Sequence, residues 1–82
     1  MAGMPRFFFD THDGDRFIPD NEGVELDGIE EAKAEAVKAL PDMAHDVLPH
    51  TSGGCDLVVT VRDQTDDVVW RVRLSVVVEP LA

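Results

Sequence analysis

The chain has few of the features that mark exported or membrane-bound proteins. Its 82 residues include a single cysteine, Cys55. One cysteine excludes an internal disulfide, as is typical of proteins in a reducing compartment. No apolar run approaches the ~20 residues of a membrane span, and the first residues, MAGMPR, lack the apolar segment of a signal peptide. We therefore predict a cytoplasmic protein with no membrane partner.

Positive charge is also scarce. Seven lysines and arginines stand against 17 aspartates and glutamates, which gives a net charge of −10 at pH 7. Such an excess repels nucleic acid and anionic lipid, so we predict neither as a partner. The arginines all fall in stretches that we predict below as strands: Arg6, Arg16, Arg62, Arg71 and Arg73. This distribution allows a basic strip on one face of an acidic protein.

Motifs for phosphate binding and catalysis are absent as well. The chain contains no G-x-x-x-x-G-K-[ST], G-x-G-x-x-G, G-x-S-x-G or H-E-x-x-H. A cysteine nucleophile needs a nearby base, and at the start of a predicted strand Cys55 is more typical of a small buried residue. We therefore predict a protein that is not an enzyme and has no cofactor and no small-molecule substrate.

Two groups of residues resemble metal ligands, but neither has the spacing of a known site. In residues 10–15, DTHDGD, Gly14 comes one position earlier than in a calcium loop, and no glutamate follows at the bidentate position. Cys55, His50 and His45 are five residues apart, which matches none of the short zinc pairings. We predict no metal site and interpret the acids of residues 10–15 as the polar tip of a hairpin.

The first hairpin is predicted in residues 5–18, where two short apolar runs flank Asp13-Gly14. A two-residue turn would pair Phe9 with Ile18, whereas a three-residue loop with a glycine bulge would pair Phe9 with Phe17. We favour the second register because a one-residue slip would break up the apolar set that it gathers. That set consists of Phe7, Phe9 and Phe17 on one face.

A helix is predicted after Asp27, which we expect to be its N-cap. Apolar residues at spacings of three and four form one stripe: Ile29, Ala32, Ala36, Leu40, Met43 and Val47. Pro41 cannot donate a hydrogen bond to the carbonyl of Val37, so the helix either kinks there or stops at Leu40 and restarts. Because the stripe keeps its phase across Pro41, we favour a kink.

Two more strands follow the linker HTSGG at 50–54. Residues 57–62 and 68–78 alternate with a period of two, separated by the turn QTDD. The last strand is the longest, and we expect it to be central and to end before Pro80. The order is ββαββ, an α+β fold in which one helix packs on one face of a four-stranded antiparallel sheet. We expect one domain over residues 4–82, with residues 1–3 as a disordered lead.

Three stretches of the sequence resemble known families. They are M-P-R-F-F-F-D-x-H-D-G-D at 4–15, P-D-x-x-G at 19–23 and E-E-A-x-x-E-A at 30–36. Together they resemble a family of short bacterial proteins known only as a domain of unknown function, over nearly the whole chain. That resemblance implies no activity, cofactor or catalytic residue, and Pro41 departs from the uninterrupted helix expected of the family. The order P-D-x-x-G then E-E-A is also similar to the ββα part of HicB-type antitoxins, which bind a small toxin.

One helix covers only one face of such a sheet, so the other face is the candidate functional surface. We predict that it binds a partner through Arg6, Phe8, Arg16, Arg62, Val69, Arg71 and Arg73. Mixed arginine, aromatic and β-branched residues are typical of protein interfaces. The alternative is a solvated face on which arginine stems lie over valines. An RNA-stacking sheet is disfavoured, because the aromatic RNP motif is absent and the charge is negative.

The sequence therefore predicts a small non-enzymatic protein-interaction or regulatory domain. It would act through this face, either on a protein partner or on a second copy of itself. The alternative function is an antitoxin-like inhibitor of a small basic partner protein.

Overall fold

The computed structural model describes residues 3–81. Met1 and Ala2, which belong to the predicted disordered lead, lie outside the described residues. The elements in chain order are β1 (Arg6–Asp13), β2 (Arg16–Ile18), β3 (Val24–Glu25), α1 (Ile29–Val47), a 3-10 turn (Leu48–His50), β4 (Cys55–Arg62) and β5 (Val68–Val76).

The strands form one antiparallel sheet, and α1 packs against one of its faces. The strand order is β2-β1-β4-β5, and the short β3, which was not predicted, pairs with the first two residues of β1. The predicted α+β class, with a single helix on an antiparallel sheet, is confirmed. The helix contacts β4, β5 and β1.

The strand β5 lies at the edge of the sheet, so its predicted central position is wrong. β4 takes a central place, with β1 on one side and β5 on the other. The last residue of β5, Val76, pairs with Cys55, the first residue of β4. Val77 and Val78 therefore have no strand beside them among residues 3–81 and leave the sheet, although their side chains continue the strand pattern. The alternation of residues indicates how long a strand is. The position of that strand in the sheet depends on which distant strands pair with it.

The first hairpin adopts a register that differs from both predicted ones. Its cross-strand pairs are Thr11 with Ile18, His12 with Phe17 and Asp13 with Arg16. The turn consists of Gly14 and Asp15 alone, and Gly14 has φ 73°. A glycine with positive φ at the first central position is typical of a type II′ turn.

Pairing with β4 explains this register. β1 remains paired with β4 as far as Asp13, which lies opposite Leu57, so the turn comes later than the apolar pattern suggests. As a result Phe17 does not join Phe7 and Phe9. It lies beside His12 on the other face of the sheet, with the two rings edge-on and their centroids 5.7 Å apart.

The helix α1 runs from Ile29 to Val47 without interruption, so the alternative in which it stops at Leu40 is wrong. Pro41 lies inside it, and both Pro41 and Val37 are on the exposed side. The carbonyl of Val37, which loses its amide donor at Pro41, can therefore be hydrated by solvent.

The helix begins without the predicted cap. The N-cap is Gly28, in an extended conformation, and in the part of the chain that the structure describes no side-chain cap hydrogen bond forms there. Asp27 therefore does not have the role that the sequence suggested. The indole nitrogen of Trp70 donates a 2.7 Å hydrogen bond to the carbonyl of Ile29, which ties the start of α1 to the edge strand β5.

The core lies between α1 and the sheet. Its buried members are Phe7, Ala32, Ala36, Leu40, Leu57, Val59 and Val61. Ala32 and Ala36 have no exposed surface, and their small side chains let the helix approach β4 closely. Trp70 and Val72 pack at the margin of this core, on the face that the alternation predicted.

Candidate functional site on the open face of the sheet

The face of the sheet that is turned away from α1 is called the open face below. Its side chains form rows across the strands, because directly paired residues point to the same side. These rows are Phe17, His12, Val58 and Arg73, then Asp10, Thr60 and Arg71, and finally Phe8, Arg62 and Val68.

Arg62 is the centre of a polar network on the open face. Its Nε donates to Oδ2 of Asp10 at 2.7 Å, and its Nη2 donates to Oδ1 of the same carboxylate at 3.1 Å. Nη2 also donates to the carbonyl of Asp20 at 3.1 Å, and Nη1 donates to the carboxylate of Asp66. The guanidinium carbon lies 5.0 Å from the centre of the Phe8 ring. All three guanidinium nitrogens are therefore engaged within the chain.

Asp10 is the buried half of this ion pair, with only 7% of its surface exposed. Burial alone would raise the pKa of Asp10. Hydrogen bonds from Arg62 and from the Asp20 amide outweigh that effect and lower the pKa. In turn, the hydrogen bond to Asp10 raises the pKa of Arg62. Asp10 is thus held as a carboxylate that stabilises the fold.

Residues 19–23, called the Asp20 loop below, fold against this network. The Asp20 carboxylate accepts hydrogen bonds from the amides of Phe9, Glu22 and Gly23 at 3.0, 3.0 and 3.1 Å. Burial would raise the pKa of Asp20, but these three bonds lower it. The P-D-x-x-G stretch thus forms a turn that a single aspartate organises.

Gly23 is the residue that lets this loop approach β1. It has φ 74°, and a Cβ at this position would lie 2.9 Å from the Cγ of Arg6 and 2.9 Å from the ring of Phe8. Arg6 itself donates through Nη1 to the carbonyl of Glu22 at 2.7 Å and through Nη2 to Glu25 at 3.0 Å. Three predicted partner-binding residues, Arg6, Phe8 and Arg62, therefore hold the Asp20 loop in place.

Sequence reasoning missed the carboxylates of Asp10 and Asp66 that bind Arg62, and the backbone carbonyl of Asp20 that accepts from it. The one available signal was alternation, which places Asp10 on the same face as Arg6 and Phe8. It could not show that Arg62, which is 52 residues away, would lie diagonally opposite.

Two other predicted site residues lie on the helix side of the sheet, so their predicted position is wrong. Arg16 pairs with Asp13, and the two side chains approach to 3.7 Å. Asp13 in turn pairs with the buried Leu57, which defines that side. Val69 packs against the core because the register between β4 and β5 shifts at Val61 and Arg62. A bulge of this kind reverses the side on which a residue falls.

Arg71 and Arg73 remain exposed on the open face. Among residues 3–81, the other five lysines and arginines each lie within 4 Å of a carboxylate, whereas these two form no ion pair. Arg71 lies opposite Thr60, and Arg73 lies opposite Val58. The candidate site is therefore the part of the open face around these two arginines, at the edge of the sheet.

A separate cleft of about 570 Å³ lies on the helix side, between the tip of the first hairpin and the end of α1. Asp46, His50 and Cys55 are among the residues that line it. Within residues 3–81, no three histidine, cysteine, aspartate or glutamate side chains come together in a way that could hold a metal ion. No helix in this described part is long and apolar enough to cross a membrane.

A family model described as a domain of unknown function, DUF6894, matches residues 6–75 of the chain. The chain belongs to the DUF6894 family. This match confirms that a domain of unknown function covers most of the chain, and it begins after the Met4-Pro5 start of the quoted motif. The matched stretch contains Asp10, Arg62, Arg71 and Arg73 and ends at Ser75. No curated protein and no solved structure matches the chain, so the HicB likeness stays a prediction.

Proposed function

We propose that this chain is a small, non-enzymatic protein-interaction or regulatory domain. It acts in the cytoplasm and contacts its partner through the open face around Arg71 and Arg73. One observation carries the proposal: in a protein with net charge −10, two neighbouring arginines on the same face of one strand have no ion pair among residues 3–81. The arginines that serve the fold are all paired.

The chemistry of this surface suits an acidic segment of a protein. A guanidinium can bind a carboxylate through two parallel hydrogen bonds, and its flat face packs on apolar atoms. Val58 lies opposite Arg73, and the exposed Phe17 lies in the same cross-strand row. The surface therefore combines cations with apolar area, a mixture that protein interfaces favour.

A non-enzymatic function is supported by the positions of the groups with shifted pKa values. Asp10, Asp20 and Arg62 bond to one another and to backbone groups. A hydrogen bond from Thr65 lowers the pKa of Asp63, which organises the turn between β4 and β5. Each shift has a structural cause, and none requires a substrate.

A photo-crosslinking experiment tests the proposal. A benzoylphenylalanine replaces Ser75, which is exposed beside Arg73, and a matched probe replaces Val37, which is 51% exposed on the helix. In native cytosol we expect an adduct from position 75 that is absent from position 37. It should disappear in the double variant Arg71→Glu/Arg73→Glu.

The control variant Arg16→Glu/Lys38→Glu carries the same change of charge on the helix side of the sheet. It should leave the adduct intact. If the adduct survives in Arg71→Glu/Arg73→Glu, or if position 75 yields no more than position 37, the open face is a solvated surface and the proposal is wrong.

The second candidate function, an antitoxin-like inhibitor of a small basic partner, draws on the acidic side of the molecule. Glu30, Glu31 and Glu35 are exposed on α1, on the opposite side of the sheet from Arg71 and Arg73. A basic partner would dock there. Reversing Glu31 and Glu35 to lysine should then abolish capture, while Arg71→Glu/Arg73→Glu should leave it intact. The opposite pattern would exclude this function.

A further inference from the structure

The outer edge of β5 is open. Among residues 3–81, the nine-residue strand β5 pairs with β4 alone, so the backbone donors and acceptors of its alternate residues face outward without a strand partner. An edge of this length is a template for the addition of another strand. Val68 and Leu74 on this strand are 52% and 36% exposed, so apolar surface accompanies the open edge.

The chain beyond β5 continues the strand pattern, and within the described residues 3–81 it has no strand partner. Val77 and Val78 are β-branched, yet they are 73% and 60% exposed. They leave the sheet because β4 begins at Cys55, which already pairs with Val76. Gly54, which precedes β4, lies so close to Val76 that a Cβ there would clash with the Val76 carbonyl. A strand from another molecule would supply the missing partner.

We propose that two copies of this chain associate through antiparallel pairing of β5, extended to Glu79, about a two-fold axis at Ser75. The inference rests on the proposed function, since it names a second copy as the partner that Arg71 and Arg73 of the open face contact. Arg71 then lies directly opposite Glu79 of the partner subunit. Like Arg71, Glu79 has no ion pair among residues 3–81.

Like charges limit where the two-fold axis can lie. In an antiparallel pair, directly opposite side chains share a face, and like charges there repel. An axis at Arg71 or at Arg73 places an arginine opposite its own copy. An axis at Val72 places Arg71 opposite Arg73 in both halves. An axis at Leu74 avoids these clashes, but it leaves both arginines opposite uncharged residues.

The two ends of the strand further limit the position of the two-fold axis. An axis nearer the start would run the pairing through the bulge at Val69, where the alternation of faces is broken. An axis at Val76 places Arg73 opposite Glu79, but it places Arg71 opposite Leu81, past Pro80, which cannot donate to a ladder, so Arg71 is left without an anion. The axis at Ser75 pairs residues 71–79 throughout. It places Glu79 opposite Arg71 and diagonal to Arg73, within reach of both long side chains.

A cysteine scan measures this register directly. In the Cys55→Ala background, single cysteines replace Leu74, Ser75 and Val76, and disulfide-linked dimer is measured after mild oxidation. Residues at the axis have Cα atoms about 4.5–5.5 Å apart, within the range that a disulfide needs. Ser75→Cys should therefore link at least tenfold faster than Leu74→Cys or Val76→Cys. Fastest linkage at 74 or 76, or equal linkage at all three, overturns the proposal.

Charge reversal tests the ion pair. By sedimentation equilibrium we expect wild type to dimerise, and Arg71→Glu and Glu79→Arg should each raise the dimer dissociation constant about tenfold or more. The double variant Arg71→Glu/Glu79→Arg should restore dimerisation, which shows that neither single variant fails by misfolding. Arg16→Glu is the matched control and should dimerise as wild type does. Absence of rescue overturns the pairing of Arg71 with Glu79.

The two proposals fail in different ways. Suppose that the chain stays monomeric, but that position 75 crosslinks to a different protein and the adduct depends on Arg71 and Arg73. That result overturns the proposed dimer and supports the proposed function. A monomeric chain with no such adduct overturns both. In that case the arginines act on the edge strand by keeping β5 from pairing.

Discussion

Arg62 on β4 donates hydrogen bonds to both carboxylate oxygens of Asp10 on β1, through Nε at 2.7 Å and Nη2 at 3.1 Å. The two residues lie diagonally across neighbouring strands, since Asp10 pairs with Thr60 and Arg62 pairs with Phe8. The pair also anchors the Asp20 loop through the Asp20 carbonyl and amide. It therefore joins three separate parts of the chain on a face without helix cover.

Replacing Asp10 with asparagine should destabilise the protein. Asp10→Asn leaves the Arg62 side chain, which is only 23% exposed, without the buried carboxylate that it binds through two nitrogens. Breaking a fully buried pair costs about 3–5 kcal/mol, and the partial exposure of Arg62 reduces this to about 2–3 kcal/mol of unfolding free energy. Urea denaturation measures it. Asp56→Asn, an exposed aspartate on β4, is the control and should change stability by less than about 0.5 kcal/mol. Equal effects would contradict a structural role for the pair.

Acid should destabilise the fold in a defined window. The pKa values of Asp10 and Asp20 are lowered in the folded state. Their contribution to stability is thus fully present above the unfolded value of about 3.9 and is lost as the pH falls through the lower folded values. Unfolding free energy from urea titrations should therefore change little between pH 7 and pH 5 and decline below about pH 4. Asp10→Asn should show a shallower decline, and an identical slope would refute the assignment.

Gly23 should not tolerate a side chain. Gly23→Ala adds a Cβ that meets Arg6 and Phe8 at 2.9 Å, at a backbone φ of 74°. Strain at positive φ costs about 1–3 kcal/mol, and the contacts add to it, so we expect a loss of at least about 2 kcal/mol. Gly53→Ala is the matched control, because nothing lies within 4 Å of that Cβ. Thermal denaturation measures the melting temperatures of both variants. Equal melting temperatures would disprove the close approach of the Asp20 loop to β1.

The register of the first hairpin can be tested with two phenylalanines. Phe7 is 4% exposed in the core, whereas Phe17 is 57% exposed on the open face. Phe7→Ala should cost about 3–5 kcal/mol of unfolding free energy, and Phe17→Ala should cost less than about 1 kcal/mol. Had the three-residue loop been correct, both rings would be buried together. Similar losses for the two variants in urea denaturation would therefore contradict the observed pairing.

Local patterns predicted the elements of this fold but not its candidate site. The spacing of Ile29, Ala32, Ala36 and Leu40 indicated the helix stripe, and three of these four are buried. The same kind of reasoning assigned seven residues to a partner surface. Only Arg71 and Arg73 remain exposed and unpaired there among residues 3–81. The other five residues have environments that differ from the predicted ones, because these environments depend on a loop, a bulge or a hairpin register. Alternation along a strand contains no information about such features.

The sequence by itself determined the number and type of the main elements, since helix and strand periods are properties of neighbouring residues. It also determined the acidity of the protein and the turn glycine at position 14. Tertiary structure alone decided that β5 lies at the edge, that Phe17 faces away from the core and that Asp10 meets Arg62. These features depend on which distant strands pair and in what register. A shift of one residue turns every side chain of a strand to the other face.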